Sequence, residues 1–176
     1  MRLVATRDAV RLTGLPAPIL REWTSRRALI PADVPPKSQG SAAQYGWQTI
    51  LMLRLAVTLR DRFHLQLQAH QALFASLRRG LPGRSFIALW DKALALHGGD
   101  DWSLVENAAA EPLRQDALLV LLNPHLAVLS EGFALPKPGG ATGQLDLFPA
   151  SAVNQAARQS ALPIRREKTN RSRRLA

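Results

Sequence analysis

The stretch Val10-Arg11-Leu12-Thr13-Gly14-Leu15-Pro16-Ala17-Pro18-Ile19-Leu20-Arg21-Glu22-Trp23 decides how the first half of this chain folds. Gly14 supplies the left-handed residue that ends a short helix over Arg7 to Leu12, with Thr6 placed to cap its start and Asp8 in its first turn. Leu15-Pro16-Ala17-Pro18 then allows only a tight connection. Pro18 suits the first turn of a second helix, where a missing N–H is harmless, and Ile19, Leu20 and Trp23 recur at helical spacing as its inward face. Arg21, Glu22, Arg26 and Arg27 are left on its other faces. That helix stops near Arg27, because Pro31, Pro35 and Pro36 follow, and the segment to Gly40 reads as an irregular loop or a small hairpin.

Working outward, Ile50, Leu51, Leu53, Leu55, Val57 and Leu59 predict a buried helix from Trp47 to Arg62, with Arg54, Asp61 and Arg62 more exposed. A fourth helix is predicted from Leu65 to Arg79, facing inward through Leu67, Leu73, Phe74 and Leu77 and ended by Gly80-Leu81-Pro82-Gly83. Phe86, Leu89, Trp90 and Leu94 then suggest a helix from Ser85 to Leu96, closed by Gly98-Gly99. Trp102 to Glu106 and Ala117 to Leu122 read as short strands, although Pro112 at a helix start allows a helix through Leu122 instead. Asn123-Pro124 carries the cap-plus-proline signature of a last helix, ending at Gly132. Pro136 to Gly143 is a Pro/Gly linker, after which no apolar period is sustained, so a flexible tail is expected over residues 136–176.

A chain of 176 residues, 47% apolar and only 20% charged, is rich enough in core formers to fold over most of its length. Its longest apolar run, Ala117 to Leu122, falls far below the roughly 20 residues needed to cross a bilayer. Arg2, Arg7, Asp8 and Arg11 break up any secretory segment, and cysteine is absent, so a cytoplasmic, nucleoid-associated protein without disulfides is expected. The net charge of +10 is unevenly spread: +9 over residues 1–84, −4 over residues 85–141 and +5 over residues 142–176. Basic ends around an acidic middle fit a chain whose ends meet a polyanion and whose centre packs or meets protein.

The ordered residues Val10-Arg11-Leu12-Thr13-Gly14-Leu15, Leu20-Arg21-Glu22-Trp23 and Leu29-Ile30-Pro31, with Tyr45 opening the third helix and Leu59-Arg60-Asp61 before the fourth, resemble the N-terminal half of MerR-like regulators. The resemblance covers about residues 2–80. It implies a winged helix-turn-helix over residues 1–84 that binds double-stranded DNA, with Ala17 and Pro18 near the major groove, Arg21 on a phosphate and Tyr45 supporting the wing. Thr6, Arg26, Arg27 and Lys37 complete the DNA-binding set it implies. A guanidinium fork pairs well with phosphate oxygens, so the assignment of Arg21 is physically reasonable. The wing segment departs from the family in offering Lys37, Gln39, Gln44 and Tyr45 where several arginines are usual. Gly80-Leu81-Pro82-Gly83 interrupts where inducer-responsive members place a long dimerisation helix, and His64, His70, His97 and His125 are scattered, so no metal sensing is expected.

In the tail, Gln144-Leu145-Asp146-Leu147-Phe148 resembles the pentapeptide by which bacterial replication and repair proteins bind the sliding clamp. The resemblance implies that Leu147 and Phe148 fill a pocket, Leu145 covers its edge and Gln144 fixes register; the rival reading is that the segment packs on the protein itself. Arg165-Arg166-Glu167-Lys168 and Arg171-Ser172-Arg173-Arg174 form a basic end suited to nonspecific phosphate contact. The expected architecture is mainly α with small β content: the winged domain (1–84), a small acidic α+β region (85–135) available for a homodimer, and the basic tail (136–176). The expected function is a DNA-binding transcriptional regulator. The alternatives are a replication or repair accessory factor recruited by the clamp, or a phage or mobile-element adaptor. No phosphate-binding glycine loop, metal cluster or Ser/His/Asp arrangement appears in the sequence, so neither catalysis nor a cofactor is expected.

Overall fold

The first helix, α1 (Thr6–Thr13), ends where Gly14 adopts φ 76° and its N–H returns to the Val10 carbonyl at 2.9 Å. Thr13 reinforces the stop: its hydroxyl donates to the Ala9 carbonyl (2.7 Å) and accepts the Leu15 N–H (3.2 Å). Thr6 does not cap this helix, as the sequence suggested. It is the first helical residue, and its hydroxyl donates to the Ala43 carbonyl at 3.5 Å, tying α1 to a loop far along the chain. The second helix, α2 (Ala17–Arg21), passes directly into one π turn, Glu22–Arg26, closed by the Arg27 N–H on the Glu22 carbonyl at 2.8 Å.

A computed structural model of the protein describes residues 2–38, 41–106 and 115–138. Within it, β1 (Val4–Ala5) pairs antiparallel with β2 (Gln44–Tyr45), and an isolated bridge joins Val34 to Gln44. The bridge brings Val34 and Gln44, on either side of the Pro-rich segment, together. Helix α3 (Trp47–Phe63) follows, with Ile50, Leu51, Leu53 and Leu55 at 1% exposure or less; it is the central helix, covered on most sides. Arg54 is less exposed than its charge suggested, because its guanidinium donates to the Leu12 carbonyl at the end of α1, and burial lowers its pKa.

His64, at φ 53°, ends α3. The fourth helical segment begins as a 3₁₀ turn (Leu67–His70) before α4 (Gln71–Gly80), with Leu67, Leu73, Phe74 and Leu77 buried as their spacing predicted. The next expectation fails. Ser85 to Leu96 is not a helix: a 3₁₀ turn (Ile87–Leu89) leads to Asp91 at φ 59° and then to strand β3 (Lys92–Gly98). Ala93, Leu94, Ala95 and Leu96 are all buried, because β3 is the middle strand of an antiparallel sheet ordered β4-β3-β5. A continuous apolar run is what a strand covered on both faces displays, and helical spacing within it is coincidental. Gly98 and Gly99, both at positive φ, form the turn into β4 (Asp101–Glu106) rather than a helix end.

Strand β5 (Leu118–Leu121) takes the strand alternative rather than the helix, and α5 (Asn123–Phe133) starts at the expected Asn-Pro pair. The Asn123 side chain bonds the backbone N–H and the carboxylate of Asp91, each at 2.8 Å, locking the sheet to the start of α5.

Leu89, Leu94, Leu96, Val120, Leu126 and Leu129 belong to the same hydrophobic core as Leu12, Leu53 and Leu77. Two glycines show how close the layers lie. A Cβ on Gly80 of α4 would meet the Trp102 ring of β4, with Cη2 at 2.9 Å, and one on Gly132 of α5 would overlap the Leu12 side chain of α1. Trp102 also donates its indole N–H to the Ser76 hydroxyl at 3.1 Å, and Trp47 and Phe86 meet edge to face at 5.2 Å. The fold is mainly α with a small amount of β structure. No helix among the described residues is long and apolar enough to cross a membrane.

Candidate nucleic-acid interface

The π turn after α2 determines which basic side chains come together. In an α-helix, residues five apart lie about 140° apart around the axis, so Arg21 and Arg26 would point to different sides. The wider turn, with its i→i+5 hydrogen bond, brings residues five apart closer to one face. Arg21, Ser25 and Arg26 consequently line one groove of about 530 Å³.

The opposite wall is the loop from Val34 to Gln44. Its base is closed by reciprocal bonds, Val34 N–H to the Gln44 carbonyl at 3.1 Å and Gln44 N–H to the Val34 carbonyl at 2.9 Å. Asp33 steadies the base by accepting the Gly46 N–H at 2.6 Å. Within the loop, Ser41 accepts the Ser38 N–H and donates to the Ser38 carbonyl, both at 3.0 Å, which presents the two residues side by side along the groove. Thr6 also lines it.

Tyr45 also lines the groove. Its ring is buried to 1% exposure, and its hydroxyl lies 3.4 Å from the Thr24 hydroxyl, which donates to the Leu20 carbonyl at 2.8 Å. Tyr45 thus joins β2 to the π turn.

Two guanidinium groups line the groove with the hydroxyls of Thr6, Ser25, Ser38 and Ser41, besides the Tyr45 hydroxyl beside Thr24, and among the described residues no carboxylate lines it. Among the described residues, neither Arg21 nor Arg26 is in an ion pair, whereas Arg27 is held by Glu22 at 2.6 Å. A site of this composition suits an anion with several acceptor oxygens: guanidinium forks supply charge and paired donors, and hydroxyls adapt to the remaining oxygens.

Of the eight DNA-binding positions read from the sequence, Thr6, Arg21, Arg26 and Tyr45 converge here. Lys37 is exposed on the loop between Pro36 and Ser38, two residues of the groove wall. Ala17 is half-buried and Pro18 exposed at the start of α2, beside the groove in sequence but not among its lining residues. Arg27 lies elsewhere, in a shallow cleft with Trp23 and Arg60, whose guanidinium stacks over the Trp23 ring at 5.0 Å. Ser25, Ser38 and Ser41 were not anticipated. Serines in a Pro-rich stretch carry no signal of their own until the Val34–Gln44 pairing brings them opposite the π turn.

The four histidines occupy separate places: His64 ends α3, His70 ends the 3₁₀ turn before α4, His97 bonds the Ser103 hydroxyl at 2.9 Å, and His125 is buried in α5. The pentapeptide Gln144, Leu145, Asp146, Leu147 and Phe148, and the basic end that follows it, lie outside the described residues. No family model, curated protein or solved structure matches this chain.

Proposed function

We propose that this protein binds double-stranded DNA without altering it chemically, and that it does so as a winged helix-turn-helix of the MerR-like kind. In this reading α1 and α2 with its π turn are the helix pair, and the loop from Val34 to Gln44 is the wing. The observation that carries it is that, among the described residues, Arg21 and Arg26 are in no ion pair and line one groove with the hydroxyls of Thr6, Ser25, Ser38 and Ser41 and with no carboxylate. Phosphate contacts of this type fix a protein's position on the duplex, while base recognition falls to the neighbouring helix start. The charge of +9 over residues 1–84 supplies the accompanying long-range attraction. The cellular role we propose is transcriptional regulation at a discrete site, occupied by two copies where the site is palindromic.

The test is binding of labelled duplexes by fluorescence anisotropy, joined to footprinting on genomic fragments. Arg21→Ala weakens binding to every sequence alike, since a phosphate contact carries no base information, and the wild type protects a discrete site. Unchanged affinity in the variant overturns the assignment of the groove.

One sequence feature favours a second reading. The clamp-like pentapeptide at residues 144–148 would make the protein a replication or repair accessory factor, with the same DNA contact in a different role. Binding to immobilised sliding clamp, abolished by Leu147→Ala with Phe148→Ala, distinguishes it. Equal retention of the double variant removes this reading.

A further inference from the structure

Arg21 is the last residue of α2 and Arg26 the last of the π turn, and both are exposed. Among the described residues neither guanidinium is in an ion pair, whereas Glu22 holds the neighbouring Arg27 at 2.6 Å. The hydroxyls of Ser25 and Ser38 also make no hydrogen bond among the described residues, while Thr6 and Ser41 donate theirs to backbone carbonyls. The groove therefore holds two cations and at least two hydroxyls that the fold itself does not use.

These groups share about 530 Å³, lined both by the π turn and by the loop from Val34 to Gln44. That volume lies within the roughly 300–1,000 Å³ of small-molecule clefts. A guanidinium carries its N–H donors in a fixed fork and pairs with one phosphoryl group through two of them. Two free forks in one cleft match two phosphoryl groups held close together. Successive phosphates of a duplex strand are separated by a whole sugar, and each bears a single charge. In a diphosphate the two groups share one bridging oxygen and concentrate more charge in less space. A duplex is also too wide to enter a cleft of this volume, whereas a small anion enters whole.

We infer that the groove of Arg21 and Arg26 is also a binding site for a small anion with two adjacent phosphoryl groups, and that this anion displaces duplex DNA from the protein. The inference rests on the reading above, in which the same groove holds phosphate, and adds a means of regulating it. Displacement follows because both ligands need the same two forks. The shared chemistry is the diphosphate, either free or esterified to a nucleoside.

Inorganic pyrophosphate is titrated into the full-length protein, without DNA, by isothermal titration calorimetry at fixed ionic strength. It occupies one saturable site, and orthophosphate binds about tenfold more weakly for want of the second charge-assisted pair. Comparison with ADP identifies the source: equal affinity assigns the site to the diphosphate itself, and tighter binding of ADP assigns it to a nucleoside ester. Labelled duplex is then titrated with pyrophosphate present at ten times its measured Kd, the ionic strength being matched with sodium chloride. The apparent Kd for the duplex rises about tenfold.

Arg21→Ala with Arg26→Ala abolishes pyrophosphate binding. Arg79→Ala with Arg84→Ala removes as much charge from two exposed positions outside the groove and leaves it unchanged. Far-UV circular dichroism reports whether each variant is folded, and Arg21→Lys with Arg26→Lys, which keeps the charge and loses the forks, lowers the affinity about tenfold. Absence of saturable pyrophosphate binding overturns the inference, as does undiminished binding in either folded groove variant. Duplex affinity that is the same in pyrophosphate and in matched chloride also overturns it and leaves DNA binding standing. A wild type that binds pyrophosphate and no duplex overturns the DNA-binding reading, and the displacement with it.

Discussion

His125 gives the chain a defined sensitivity to acid. It lies in α5 at 8% exposure, its Nδ1 has no hydrogen-bond partner among the described residues, and burial lowers its pKa from 6.5 to about 4, with Arg54 and Arg62 adding repulsion. In the unfolded chain the imidazole takes up a proton as pH falls through about 6.5, while in the folded protein it stays neutral until about 4. Over that interval the unfolded state binds more protons, so stability is full above pH 6.5 and is lost progressively toward pH 4. The pKa difference corresponds to about 3 kcal/mol, at about 1.4 kcal/mol per pH unit, a large share of the stability of a small domain. Urea denaturation at intervals between pH 7.5 and 4 measures it. The midpoint of the wild type falls steadily below pH 6.5, and His125→Leu, which cannot titrate, removes about 3 kcal/mol of that decline relative to the wild type. Parallel curves for the two proteins would refute the assignment of a neutral, buried imidazole.

Gly132→Ala, which ordinarily strengthens a helix, instead destabilises the protein by about 1–3 kcal/mol because its methyl overlaps Leu12; chemical denaturation measures this, and the same substitution costs less in a Leu12→Ala background, where the overlap is gone. Gly80→Ala forces the Trp102 ring off α4, shifting tryptophan fluorescence and lowering the thermal midpoint. Tyr45→Phe removes the hydroxyl beside Thr24 and costs about 1 kcal/mol of stability by urea titration, with DNA affinity changed little, since the ring stays in the groove lining.

The parts of the fold that were legible in the sequence are those fixed by local chemistry. Gly14 needed its positive φ, Pro18 started α2, and the apolar period from Ile50 to Leu59 marked a helix buried on most sides. Ala93 to Leu96 misled because a central strand, covered on both faces, displays the same continuous apolar run as a buried helix. Thr6 misled because its hydroxyl has a partner, the Ala43 carbonyl, that lies beyond the reach of any local rule. The candidate groove was half legible for the same reason. Arg21 stood out at its position on α2, but Arg26 joins it only through a π turn that no residue type announces. Ser38 and Ser41 join it through the long-range Val34–Gln44 pairing. Arg27, equally basic and adjacent in sequence, is turned away by Glu22.

The salt dependence of duplex binding tests the central claim most directly. Each phosphate contact that a cation makes contributes about 0.9 to the slope of log affinity against log salt concentration. Measured by anisotropy between low and physiological salt, the wild type gives a steep negative slope, and Arg21→Ala with Arg26→Ala reduces its magnitude by about 2 for any duplex sequence. A double variant with the slope and affinity of the wild type, or a wild type that binds no duplex at low salt, contradicts the account.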